Sequence, residues 1–244
     1  LATPWRRIIP GTTLFKQLLT QNPKKIYIST GAILVTLIAI NVLLEPDAAT
    51  VERAKAVNSQ LRESYPDGFS LDANHTPHIT LLQRFVQTED LDQVAKLLSQ
   101  MLSTEHSNPW GSKAVGYYDL AFDNLALVGI VIQPTPDLRR LQQSIIDVVA
   151  PFAVEQGTAE AFAPRLDGGA ISQPTVDYVN NFVGPRTGTN YNPHLTVGIG
   201  TRDFVDALKA EPFQVFPVRA LSLGLYQIGD FGVAQKKLYD LHHC

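Results

Sequence analysis

From residue 39 to residue 241 the apolar positions of the chain follow two rhythms. Short runs at 39–44, 79–85, 114–122, 125–132, 195–199, 220–228 and 233–241 read as strands. Between several of them, apolar residues three and four apart read as helices. Val51, Ala54, Val57 and Leu61 mark the first helix, which Asp47 caps and Pro66-Asp67-Gly68 stops. Leu91, Val94, Leu97 and Met101 mark a second, broken near Asn108-Pro109 and Gly111. Leu138, Leu141, Ile145, Val148 and Val149 mark a third, with Thr135 as cap, Pro136 at the first helical position and Pro151 at the end. Asp123-Asn124 and Gly229-Asp230-Phe231-Gly232 read as the turns of two hairpins.

This order occurs twice. An apolar run, a Pro-containing turn and a helix lead to Pro77-His78-Ile79-Thr80, and the same series, through Gln133-Pro134-Thr135-Pro136-Asp137, leads to Pro193-His194-Leu195-Thr196. Each copy opens a strand, and each is followed by an N-cap pattern, Thr88-Glu89-Asp90-Leu91 and Thr201-Arg202-Asp203-Phe204. The halves therefore predict two α+β lobes related by an approximate two-fold axis, with one His-x-Thr strand from each meeting at the centre. Residues 152–192 break the symmetry. They are rich in Gly, Pro, Asn and Thr, hold one helical candidate at 175–182, and read as a functional lid in preference to a surface excursion.

Alternation along a strand puts a His and the Thr two residues later on one face. A lone His in an apolar strand is more often structural than catalytic, and it is the repetition that argues for chemistry. Two imidazoles facing one cleft suit acid–base work on a phosphate ester, one taking a proton from the nucleophile and one giving a proton to the leaving oxygen. Thr80 and Thr196 would donate to the non-bridging phosphoryl oxygens. Simple parity places Arg84 on the face of His78 and Thr80, as a further anion contact. Arg165, Arg186, Tyr178 and Phe182 in the insertion, with Tyr191 just before the second motif, are candidates to clamp a phosphate or stack on a base. A zinc site at His75-x-x-His78, completed by His242 and His243, is the weaker reading, because Pro77 opposes the helical geometry that aligns such ligands.

The charge balance narrows the partners. With 20 basic and 23 acidic side chains, the chain offers no broad basic face to duplex nucleic acid, so a small or end-of-chain substrate fits better. The single cysteine, Cys244, excludes an intramolecular disulfide and a cysteine-based zinc site. Ile26 begins a 19-residue uncharged stretch that ends at Leu44, behind Lys24-Lys25. If 39–44 is a strand, the remaining 26–38 is too short to span a bilayer and reads as the apolar part of a signal peptide or signal-anchor. Residues 1–38 are thus expected to be an N-terminal segment with possible membrane contact and 39–244 an exported, monomeric, two-lobed domain, the alternative being a cytoplasmic protein with a buried N-terminal strand.

With both motifs in place, the chain resembles the two-histidine (2H) phosphoesterase superfamily, the group of 2′-5′ RNA ligase-like proteins and cyclic nucleotide phosphodiesterases. Pro-His-Ile-Thr and Pro-His-Leu-Thr in their strand–helix context carry the resemblance, over about residues 40 to 241. It implies an α+β, bilobal fold with two central antiparallel sheets facing a cleft and helices outside. It also implies His78 and His194 as acid and base, Thr80 and Thr196 on the phosphate, no metal and no cofactor. The expected substrate is a small cyclic-phosphate nucleotide or an RNA end.

Overall fold

Asp47 does what its position promises. Its carboxylate accepts from the Thr50 amide at 2.8 Å and opens helix α1, Ala48–Ser64. The computed structural model describes residues 36–73, 75–104, 111–165 and 167–243, without the side chains of Thr104, His242 and His243. The signal-like stretch up to residue 35 lies outside the described residues. Among those described, no helix is long and apolar enough to cross a membrane.

Among the described residues nine strands form one antiparallel sheet: β1 Leu37–Pro46, β2 Ile79–Gln87, β3 Ser112–Phe122, β4 Leu125–Ile132, β5 Ala153–Val154, β6 His194–Thr201, β7 Phe216–Val218, β8 Ala220–Ile228 and β9 Ala234–His243. Their order is β7-β3-β4-β6-β2-β1-β8-β9, with β5 on the free part of the β2 edge. The order reads the same from either end under exchange of lobes: β4 answers to β1, β6 to β2 and β3 to β8. Strand β1 begins at Leu37, two residues before the expected start, because β2 extends to Gln87 and offers Leu37 and Ile38 partners.

The two lobes join at a single rung, Ile79 opposite Leu195. The expected pair of sheets is therefore present as two halves linked edge to edge where the His-bearing strands begin. Ile79 and Leu195 are buried in one core with Ile40, Val42, Leu61, Ile130, Leu141 and Val197. Burying such a side chain contributes about 1.5–3 kcal/mol. Helices α1, α2 Leu91–Thr104, α3 Pro136–Val149 and α5 Arg202–Ala210 accompany this sheet, and α4 Gln173–Asn180 belongs to the insertion.

Two local readings change. The buried stripe of α2 is Leu91, Val94, Ala95, Leu98 and Leu102, so Leu97 and Met101 lie at its edge; a period of 3.6 carries the stripe one residue past the expected line. Thr88 does not cap α2. A 3-10 turn, Thr88–Asp90, intervenes, and the Thr88 hydroxyl donates to the Thr36 carbonyl at 2.8 Å.

The insertion is docked rather than loose. Val154 pairs with Phe85, the Ala163 amide donates to Ile228 O, and Phe162, Val176 and Val179 pack with Phe85, Ala39 and Ile228 in a second small core. Its anchor is Asp230 in the β8–β9 turn. The carboxylate of Asp230 accepts from the Ser172 amide and hydroxyl, the Thr175 hydroxyl and the Arg165 guanidinium.

Candidate active site

The Ile79–Leu195 rung fixes the site. Continuing its antiparallel register sets His78 opposite Thr196 and Thr80 opposite His194, all four on the face that Ile79 and Leu195 turn away from. Two cavities show the result. One, of about 70 Å³, is lined by His194 and Thr80; the other, of about 40 Å³, is lined by His78 and Thr196. Each takes its motif imidazole from one lobe and its motif Thr from the other.

Both rings are held alike. His78 Nδ1 donates to Thr76 O and His194 Nδ1 to Asn192 O, each at 2.8 Å and each to the carbonyl two residues earlier. That bond commits the proton to Nδ1 in the neutral ring and leaves Nε2 as the exchanging nitrogen. Burial holds both imidazoles below the ordinary value of 6.5, against the backbone carbonyls that favour the charged form. His194 further opposes a charge on His78, and Arg186 opposes one on His194. The two rings therefore titrate as neighbours.

The second contact of each Nε2 differs. The Asn41 amide on β1 lies 3.4 Å from His78 Nε2 and 3.4 Å from Thr80 Oγ1. The Tyr118 hydroxyl on β3 lies 3.4 Å from His194 Nε2, with the two ring centroids 4.6 Å apart. Burial raises the Tyr118 phenol to about 12, so it works as a neutral hydroxyl. Gly129 makes room for it: a Cβ there would stand 2.4 Å from the Tyr118 ring and 3.2 Å from His194. Neither Asn41 nor Tyr118 was singled out from sequence. The signals were an Asn within an apolar run and a Gly inside a strand, both visible but unassignable without the fold.

Insertion residues form the wall of the His194 cavity. Tyr178, Phe182, Arg186 and Tyr191 all line it, with Asn190 and Asn192. Arg186 is the one Arg or Lys lining either small cavity among the described residues, and its guanidinium carbon stands 3.9 Å from the Tyr178 ring centroid. Tyr191 spends its hydroxyl on Thr80 O at 3.1 Å, which ties the end of the insertion to the first lobe.

Arg84 requires correction. The β1–β2 pairing passes from Leu43–Thr80 to Val42–Leu82, so Leu81 is an extra residue, a β-bulge, and alternation reverses beyond it. Arg84 consequently pairs with Ile40 on the helix side, and Gln83, paired with Asn41, takes the site face. An equivalent bulge skips Val197 in β6, again three residues after the His. Arg165 is also unavailable as a phosphate clamp, since Asp167 and Asp230 already hold it. His75 stacks on Phe69 at 5.1 Å. Among the described residues no three His, Cys, Asp or Glu side chains converge on a metal-sized point, and the side chains of His242 and His243 lie outside those described.

A family model described as the 2'-5' RNA ligase superfamily matches residues 44–227. The chain belongs to that superfamily. Its members are phosphoesterases and ligases, which supports an enzyme acting on phosphodiester bonds. Among solved structures, Escherichia coli LigT complexed with 3'-AMP aligns at 12% identity and TM-score 0.38, over 84% of this chain and 97% of that one. Kluyveromyces marxianus Usb1 aligns at 9% identity and TM-score 0.39, over 83% and 96%. Comparison with curated proteins gives no match.

Proposed function

We propose that the protein is a phosphodiesterase that opens cyclic phosphodiesters, of the nucleoside 2′,3′-cyclic phosphate or ADP-ribose 1″,2″-cyclic phosphate type, by two-histidine acid–base catalysis without a metal. The observation that carries this reading is the crossed pairing of His78 with Thr196 and His194 with Thr80, which brings two imidazoles and two hydroxyls to one face of the sheet. Water attacks phosphorus and gives its proton to the Nε2 of the neutral imidazole. The bond from phosphorus to one ring oxygen breaks, and that oxygen takes a proton from the Nε2 of the protonated partner. Thr80, Thr196 and the Arg186 guanidinium stabilise charge on the non-bridging oxygens. The product is a phosphate monoester beside a free hydroxyl.

The test is a panel of cyclic phosphates assayed with wild type, His78→Ala and His194→Ala. Wild type should open at least one substrate, with a bell-shaped pH–rate curve and full activity in EDTA, and each variant should lose turnover while still binding product. Activity abolished by EDTA and restored by a divalent ion would overturn the metal-independent mechanism. The superfamily match favours one second reading, the joining of RNA ends through a 2′-5′ linkage, in which a hydroxyl replaces water at the same site. Offering RNA with a 2′,3′-cyclic end together with a 5′-hydroxyl acceptor separates the two.

A further inference from the structure

The two small cavities leave open where the rest of a substrate lies. In another protein an engineered cavity of about 150 Å³ takes a benzene ring. Cavities of about 70 and 40 Å³ therefore suit a phosphoryl group and part of a sugar, not a base. The insertion aromatics do not supply the missing surface. Phe182 is 2% exposed, and the Arg186 guanidinium already lies over the Tyr178 ring.

The His78 cavity continues elsewhere. Through Phe69, His75, Phe231 and Val233, which line both, it adjoins a groove of about 420 Å³ that also takes in Phe122, Leu125 and Ile199. Phe122 and Phe231 are 43% and 66% exposed, unusual for phenylalanines. The one Arg or Lys of this lining, Arg165, is neutralised by Asp167 and Asp230. Such a groove is made for a planar, uncharged ring rather than a second phosphate.

Phe231 is also held in a conformation that phenylalanine avoids. Its φ of 58° lies in the left-handed region, where a bulky residue persists only if its surroundings impose it. They do: the Phe231 amide donates to the Thr175 hydroxyl and to the Asp230 carboxylate, the same carboxylate that anchors the insertion. The exposed ring is thus fixed at the junction of the catalytic cavity and the groove.

We infer that this groove is a nucleobase site, with Phe231 as its stacking platform, for the nucleotide whose phosphate reacts between His78 and His194. The inference rests on the phosphodiesterase reading and sharpens it, selecting a base-bearing cyclic phosphate over a bare sugar one. Base–aromatic stacking is worth about 5- to 150-fold in affinity.

The experiment compares a nucleoside 2′,3′-cyclic phosphate with methyl riboside 2′,3′-cyclic phosphate, which lacks the base, in wild type, Phe231→Gly and Phe231→Trp. Glycine accepts the left-handed backbone, so the turn is retained while the ring is lost. The ratio of kcat/KM, base-bearing over base-less, should fall about 5- to 150-fold in Phe231→Gly and be largely kept in Phe231→Trp. A ratio unmoved by Phe231→Gly, or no preference in wild type, overturns the inference and leaves the phosphodiesterase reading standing. If wild type opens neither compound, the phosphodiesterase reading fails instead, and calorimetry with a nucleoside 3′-monophosphate against inorganic phosphate decides the groove. A nucleotide preference lost in Phe231→Gly then supports it, and an unchanged preference overturns it.

Discussion

The two lobes carry the same His-x-Thr phrase and the same Nδ1 bond to the carbonyl two residues back, yet they surround the ring differently. His194 sits against Tyr118 and behind the insertion wall with Arg186, whereas His78 touches Asn41 and faces the aromatic groove of Phe231. The shared part is what a pair of proton carriers needs. Under the proposed function, the divergent part would tell one end of a substrate from the other. The repeated motif is common to both lobes, and the insertion on one lobe supplies the asymmetry.

The largest effect expected from breaking this comparison treats the lobes as equals. His78→Gln and His194→Gln should each lower kcat by about 10²–10⁴-fold, because one ring cannot be both base and acid in the same step. The double variant should be little worse than either single one, since the residues act as a unit. A single variant that retains most of its turnover would show that its lobe only copies the motif.

A smaller effect separates the lobes. Gly129→Ala places a Cβ 2.4 Å from the Tyr118 ring, so the ring must leave His194 or the strand must shift. We expect kcat to fall about tenfold and stability by about 1–3 kcal/mol, as in other overpacked sites. Tyr118→Phe, which deletes only the hydroxyl, should reproduce a few-fold loss in kcat with stability kept. Equal activity in Tyr118→Phe and wild type would reduce Tyr118 to a packing residue.

The lobe architecture and the meeting of the two His-x-Thr strands were legible in the sequence because both depend on local signals. Alternation placed each His with its Thr, Asp47 and Thr135 announced their helices, and repetition paired the halves. What was not legible depends on tertiary pairing. Nothing local marks Leu81 as a bulge, so parity put Arg84 on the wrong face. Tyr118 reaches His194 from 76 residues away, and Asp230 gathers the insertion from 55 to 65 residues away. The two-residue β5 and three-residue β7 are too short to carry a period of their own.

Arg186→Gln sharpens the comparison through pH. Arg186 opposes protonation of His194, so removing it should move the limb of the pH–rate curve that belongs to His194 to higher pH and leave that of His78 less affected. KM should rise, because the guanidinium that lines the His194 cavity is gone. The measurement is kcat and kcat/KM against pH for both proteins. A rise in KM with both limbs unmoved would make Arg186 a substrate contact with no electrical influence on the ring.

The smallest expected effect concerns stability, and it follows from the same buried rings. Both imidazoles titrate below 6.5 in the folded chain because burial disfavours their charged form. As pH falls through that ordinary value the unfolded chain takes up protons that the folded chain still refuses, so stability declines, and the decline ends once pH passes below the folded values. The lowered carboxylates Asp119 and Asp230 act in the same direction but in a more acid window, where carboxylates themselves titrate. Urea midpoints at pH 7.5 and 5.5 should therefore fall less in a His78→Gln, His194→Gln double variant than in wild type. Comparing the single variants then ranks the lobes: His78 is opposed by His194 and favoured by Glu45, so replacing His194 should ease part of the strain on His78 as well. An identical fall in wild type and the double variant would mean that neither ring is desolvated in solution. The acid partner would then not be scarce at neutral pH.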